Sequence, residues 1–365
     1  MSRQEPEWDA VVVGGGPAGA VAALVMARAG RRVLLVDAPP CAERRAIGET
    51  LPGAATPLLR DLDLLPLLGS GRHLPCYGTL SAWGSAALTT VDFIRDPNGH
   101  GWRLDRRAFD ADLRSAAWSA GARPIQERLS TVERDGDRWQ LHFRDGSRVE
   151  SRWLLDATGR RAAVSRQIGA RRIRDAGLIA LCCWFPAHDA DTRILVEAEP
   201  DGWWYTALTP EGNRIVACHV DPTAATALLH MPDGYEERLS RTVHIQAVLS
   251  GASATEPVRA VDAGGARLNC FGGEGWVAVG DAALSFDPLS SQGIFTALYS
   301  GMKAGRAVLT ALASDSPVPD SEYANRLESI RAAYLRHWTE AYATETRWPD
   351  HPFWSPRHSL PPCDR

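Results

Sequence analysis

The chain has 365 residues, 45% of them hydrophobic and 23% charged, and a formal net charge of −4. That length predicts two packed units with an ample core, and the composition excludes disordered, collagen-like and disulfide-miniprotein classes. A mildly negative chain has no global attraction for nucleic acid or an anionic membrane, so neither is expected as a partner.

The N-terminus shows no charged-then-apolar leader, and the most apolar early stretch, Ala18 to Ala27, meets Arg28 before it could span a bilayer. A soluble, cytoplasmic protein is expected. Seven cysteines without a C-x-x-C and ten dispersed histidines predict reduced thiols and no metal. The basic residues comprise one lysine, Lys303, and 39 arginines, and there are 13 tryptophans.

A β-branched run over residues 10–13 meets Gly14-Gly15-Gly16-Pro17-Ala18-Gly19, and residues 20–29 then read as a small-residue helix ending at Gly30. A second strand over 32–36 ends in Asp37 and completes a β-α-β unit. Residues 53–68 predict a leucine-rich helix broken at Pro66, and 102–106 a short strand feeding a helix over 107–120. Alternation between 123 and 155, with Asp-Gly turns, predicts a β-meander. Four strand-like runs follow at 178–185, 193–198, 203–208 and 214–220, joined by turns too short for parallel crossovers, which predicts an inserted antiparallel sheet. A helix over 235–249, a buried strand over 276–279, helices near 293–313 and 321–344 and an aromatic tail close the chain.

Gly14, Gly16 and Gly19 form a G-x-G-x-x-G between a strand and a helix, the context a dinucleotide pyrophosphate requires. Gly14 permits the tight turn, Gly16 lets backbone N–H groups close on phosphate at the helix N-terminus, and Gly19 lets helix and sheet approach. Asp37 lies 18 residues after Gly19, near the spacing of an acid that binds a ribose 2′-OH. The same fingerprint serves NAD and FAD.

Three further motifs resemble those of flavoprotein monooxygenases and their relatives: Arg106-Arg107-Ala108-Phe109-Asp110, Asp156-Ala157-Thr158-Gly159, and Trp276 to Ala283 followed by Asp287 to Ile294. The resemblance implies FAD, with NAD(P)H or a flavin reductase as transient electron donor. It implies an α/β fold: a Rossmann-type FAD-binding domain of the glutathione-reductase and p-hydroxybenzoate-hydroxylase type, an inserted antiparallel-sheet substrate domain and a helical C-terminus. The expected bounds are 1–75, 95–170 and 256–315 for the discontinuous FAD domain, 76–94 and 171–255 for the substrate- or partner-facing sheet, and 316–365 for the helix and tail. Carried over, the cofactor contacts are Gly14, Gly16, Ala18, Gly19, Asp37, Glu49, Arg106, Asp156, Gly159, Gly280, Asp281, Pro288, Gln292, Gly293 and Ile294. The aspartate at 281 would hold the ribityl chain, and the helix opening at Gly293 would face the flavin edge that turns negative on reduction.

Gly48-Glu49-Thr50-Leu51-Pro52 resembles the G-E-[ST]-L-P stretch of flavin-dependent halogenases and related oxygenases, and Gly202 to Pro210 is like a degenerate W-x-W-x-I-P. Halogenases of this type use a lysine upstream of the substrate region to hold hypohalous acid, a role poorly suited to guanidinium. No lysine precedes Lys303 here, which disfavours that chemistry. With the tail Glu345 to Trp354, these motifs resemble the LodB/GoxB type, flavoproteins that act on a tryptophan of a partner enzyme during formation of cysteine tryptophylquinone. The implied function is hydroxylation of a peptidyl tryptophan in a quinoprotein oxidase or dehydrogenase precursor, with O₂, through a flavin C4a-hydroperoxide. Alternatives are a halogenase or small-molecule aromatic hydroxylase, a geranylgeranyl-reductase-like ene reductase, and a non-enzymatic FAD-binding chaperone.

Glu49 is the acidic candidate near the flavin, and Trp203 and Tyr205, which share one face of their strand, are candidate catalytic rings while Trp204 faces away. Trp348, Phe353 and Trp354, with Arg347 and Arg357, are either partner anchors or a packed segment. The run Arg160, Arg161, Arg166, Arg171, Arg172 and Arg174 reads as a solvated helix face or a patch for an acidic partner.

Overall fold

The computed structural model describes residues 8–39, 47 and 49–358. Apolar β-branched residues that must be covered on both faces build the centre of an eight-stranded sheet. Its strand β1 (Trp8–Val13) lies parallel to β2 (Val33–Asp37) on one side and to Arg148–Asp156 on the other. The helix α1 (Pro17–Arg28), buried through Ala20 to Leu24, crosses between β1 and β2. The long helix Gly293–Ala313 lies against it, so close that a Cβ on Gly301 would overlap the carbonyl oxygen of Ala18.

The expected meander is real over Leu129–Asp135, Arg138–Phe143 and Arg148–Asp156. Its first predicted strand is not part of it: Arg123–Gln126 runs parallel to β2 at the sheet edge, since the helix Arg106–Ser119 before it supplies a crossover. The predicted helix over 235–249 is two, Gly234–Leu239 and His244–Leu249, after a further helix Pro222–His230. Between them the β-branched Thr242 and Val243 interrupt the helix, and buried Glu197 accepts the N–H groups of Val243, His244 and Ile245 to start the second.

The inserted sheet has seven strands, in the order Arg259–Asp262, Ile179–Pro186, Asn213–Val220, Gly202–Leu208, Ile194–Glu199, Gly78–Ala82 and Thr89–Asp92. All neighbours are antiparallel except Ile194–Glu199 with Gly78–Ala82. Arg259–Asp262 therefore belongs to this sheet although it lies within 256–315. One face, with Trp204, packs on the three short helices; the other, with Trp203, joins the main core. In the tail, Phe353 and Trp354 are buried and Trp348 packs against the core, so these rings form a packed segment. Among the described residues no helix is long and apolar enough to cross a membrane.

Candidate active site

A cavity of about 410 Å³ lies where the carboxyl ends of the parallel strands meet the inserted sheet. Its first wall is the β1–α1 turn. Gly14 adopts φ +114°, and a Cβ there would overlap the carbonyl oxygen of Ala157; one on Gly19 would overlap that of Gly14. Gly16 differs. A Cβ on it would meet nothing within 4 Å, and Gly16, Pro17 and Ala18 line the cavity at the N-terminus of α1. That open cradle of backbone before a helix N-terminus fits a pyrophosphate. Asp37 ends β2 beside it, accepting the Gly15 N–H at 3.2 Å with its second oxygen 3.5 Å from Arg114.

The second wall is Asp281, Pro288, Gln292, Gly293 and Ile294, at the N-terminus of the 21-residue helix Gly293–Ala313. Arg160, also lining the cavity with Gly159, reaches Asp281 at 3.4 Å and donates to the carbonyls of Gly264 and Phe286. Arg172 donates to the Asp281 carbonyl and to Ser285. The arginine run is thus no simple solvated helix face. Its members Arg160 and Arg172 clamp the segment that carries Asp281. Substituting Asp281 with Ala is expected to leave folding intact and strip FAD during purification, seen as a collapse of the flavin-to-protein absorbance ratio.

Arg106 lines the cavity while its guanidinium grips Asp110, one helical turn on, through two hydrogen bonds of 3.2 and 3.0 Å. Asp156 does not line it. Its fully buried carboxylate accepts from the Thr158 N–H and hydroxyl and from the Ser165 N–H, so it fixes the turn that presents Gly159. Gly280 packs on Ala18 instead of facing the cavity.

The third wall is the inserted sheet, with Ala180, Cys182, Tyr205, Ile215, Ala217 and His219. Glu49 and Thr50 lie at its edge beside the buried Arg103, which pairs with Glu49 at 3.6 Å, donates to Thr50 and to the Leu208 carbonyl, and lies over the Tyr205 ring. Burial raises the Tyr205 phenol above its ordinary range, so it stays neutral. Trp203, on the same strand face, does not reach the cavity: it lies behind His219, its ring stacked on the imidazole at 3.6 Å and 6°. Gly48 lies outside the described residues.

Sequence reasoning missed Arg103 and His219. No motif marks either. Burial lowers the His219 pKa from 6.5 to about 3, against the backbone carbonyls of Trp203 and Ala217. The unfolded chain therefore takes up this proton near pH 6.5 and the fold does not, so folding stability falls as pH drops from 6.5 towards 3. Replacing His219 with Phe removes that loss. Relative to wild type the variant should gain ~2 kcal/mol on going from about pH 7 to about pH 5, measured by denaturant unfolding at both values.

Residues 89–364 match the family model described as tryptophan halogenase, and residues 9–42 match an FAD-binding domain. The chain belongs to the tryptophan halogenase family. Among relatives of this flavoprotein is the FAD-dependent oxidoreductase LodB of Marinomonas mediterranea, 31% identical over 97% of each chain. Among solved structures, the myxobacterial chondrochloren halogenase CndH superposes with a TM-score of 0.86 at 25% identity, covering 96% of this chain and 85% of that one. The peptidyl tryptophan dihydroxylase QhpG, essential for tryptophylquinone cofactor biogenesis, superposes with a TM-score of 0.78 at 25% identity, covering 99% and 80%. The cofactor of this halogenase-family member is FAD, and the protein is an FAD-dependent oxidoreductase. The LodB-type resemblance and the α/β fold with a Rossmann-type FAD-binding domain expected from sequence are borne out.

Proposed function

We propose that this family member hydroxylates a tryptophan side chain in the precursor of a quinoprotein oxidase or dehydrogenase, during maturation of a tryptophylquinone cofactor. The carrying observation is the cavity itself, an FAD cradle facing a sheet wall of small side chains between Tyr205 and His219, with no lysine on it. Lys303 sits on the Gly293–Ala313 helix, 3.4 Å from Glu322. Similarity to the peptidyl tryptophan dihydroxylase QhpG supports a peptidyl tryptophan as the target.

FAD, once reduced by NAD(P)H or a separate reductase, supplies O₂ activation and oxygen transfer to an electron-rich ring. One oxygen atom enters the indole in place of hydrogen, the other leaves as water, and two electrons come from the donor. The protein's own residues position and shelter. The N-termini of α1 and of the Gly293–Ala313 helix present backbone N–H groups to negative charge. Ala180, Cys182 and Ala217 leave an apolar stretch of wall, and Arg103 holds Glu49, Thr50 and Tyr205 at its edge.

A second reading, halogenation of an aromatic substrate, is favoured by the family match and the likeness to CndH. Co-expression with a quinoprotein precursor, followed by peptide mass spectrometry, decides. A mass gain of one or two oxygen atoms on a tryptophan peptide, lost with the Asp281→Ala variant, is the expected result. A chloride- or bromide-dependent gain instead would establish halogenation.

A further inference from the structure

We propose that His219 recognises the substrate ring, accepting a hydrogen bond from the indole N–H at Nε2. The proposal rests on the tryptophan-hydroxylation reading and names the contact that would select the ring. A buried neutral imidazole on a cavity wall offers its accessible nitrogen to whatever fills the cavity. His219 is 3% exposed, lines the cavity, and has an enclosed Nδ1 that makes no hydrogen bond. The imidazole is also held at one angle. It lies flat on Trp203, whose Nε1 donates to the Tyr342 hydroxyl at 3.1 Å, and Tyr342 in turn donates to Asp287 at 2.9 Å. Asp287 caps the turn that leads into the Gly293–Ala313 helix, so the ring is fixed relative to the FAD wall.

The chemistry follows from the neutral state. A neutral imidazole has one N–H and one bare nitrogen. The enclosed Nδ1 is closed to a ligand, so a ring in the cavity meets the imidazole at Nε2, the acceptor when Nδ1 carries the proton. Apart from Trp203, its neighbours on the same face are small: Ala217 two residues before it, and Ala180 directly opposite on the other side. A planar ring can therefore lie on the sheet with its N–H at His219 and its far edge towards Tyr205. An indole matches this. A ring without a donor leaves Nε2 unmatched, which a polar site penalises.

The test is calorimetric and independent of turnover. A blocked peptide with one central tryptophan, and the same peptide methylated at the indole nitrogen, are titrated into the FAD-loaded protein. Wild type is expected to bind the unmethylated peptide about tenfold more tightly, the worth of one hydrogen bond. His219→Phe, which keeps the stack on Trp203, should bind both peptides equally and at the weaker affinity. His219→Gln, which restores an acceptor, should recover part of the preference. FAD content of each variant confirms that the fold is retained. If wild type binds both peptides equally, or if His219→Phe keeps the preference, this inference fails while the hydroxylase reading stands. If wild type binds neither peptide and the co-expressed precursor gains no oxygen, both fail.

Discussion

Gly14→Ala is expected to yield a protein at least ~3 kcal/mol less stable and devoid of FAD, whereas Gly16→Ala should fold normally and lose only its grip on the flavin. The two glycines sit two residues apart in one motif, yet different atoms demand them. At Gly14 the demand is internal: φ is +114°, and the direction of a Cβ is filled by the Ala157 carbonyl, backbone that cannot move aside without pulling β1 from Arg148–Asp156. At Gly16 the backbone is ordinary, with φ −72° and ψ −178°, and no protein atom stands within 4 Å of a Cβ. A methyl group there strains nothing in the protein. It takes space only from whatever approaches the N-terminus of α1. FAD affinity at least ~10-fold weaker, with an unchanged denaturant midpoint, is the expected signature of Gly16→Ala. Wild-type FAD affinity in that variant would show that the pyrophosphate does not lie against Gly16.

The same distinction explains what was legible in the sequence. The β-α-β turn could be read because its strand, glycines and helix follow one another directly in the chain, and the antiparallel sheet because its turns are short. The motif marks Asp156 as a cofactor contact, but its three hydrogen bonds go to Thr158 and Ser165, and only the folded turn shows that the carboxylate is used up. In the sequence Arg160 is one of a run of six arginines between residues 160 and 174. Its partners Gly264, Asp281 and Phe286 lie more than a hundred residues away, so no local pattern could single it out. His219 sits in an apolar strand, where a lone histidine reads as core. Strand pairing with Trp203 and Ala180 places it over the cavity.

Trp354→Ala is expected to cost ~3–5 kcal/mol of stability, because it removes a fully buried ring from a cluster that cannot close over the gap. Trp354 meets Trp83 edge-to-face at 5.3 Å and Phe353 at 5.1 Å, and its Nε1 donates to the Glu199 carbonyl at the end of an inserted strand. Arg357 seals the cluster from below, lying over the Phe353 ring and bonding to Asp221 and the Gly177 carbonyl. The tail thereby joins the helix Ser321–Ala343 to the inserted sheet. The linkage reaches the active site through Tyr342, which packs on Trp354 and spans from Trp203 to Asp287. Asp287 is a buried carboxylate whose pKa burial raises, and hydrogen bonds from the Leu289 N–H, Tyr342 and Trp338, with the Arg357 charge, stabilise its ionised form. Loosening the tail should therefore lower FAD retention as well as the unfolding midpoint, and Tyr342→Phe, which keeps the ring and removes the hydroxyl, should reproduce part of the FAD loss at ~1–3 kcal/mol of stability. A partner-docking role for the same rings makes the opposite forecast: Trp354→Ala would leave the midpoint unchanged and weaken only capture of the precursor protein.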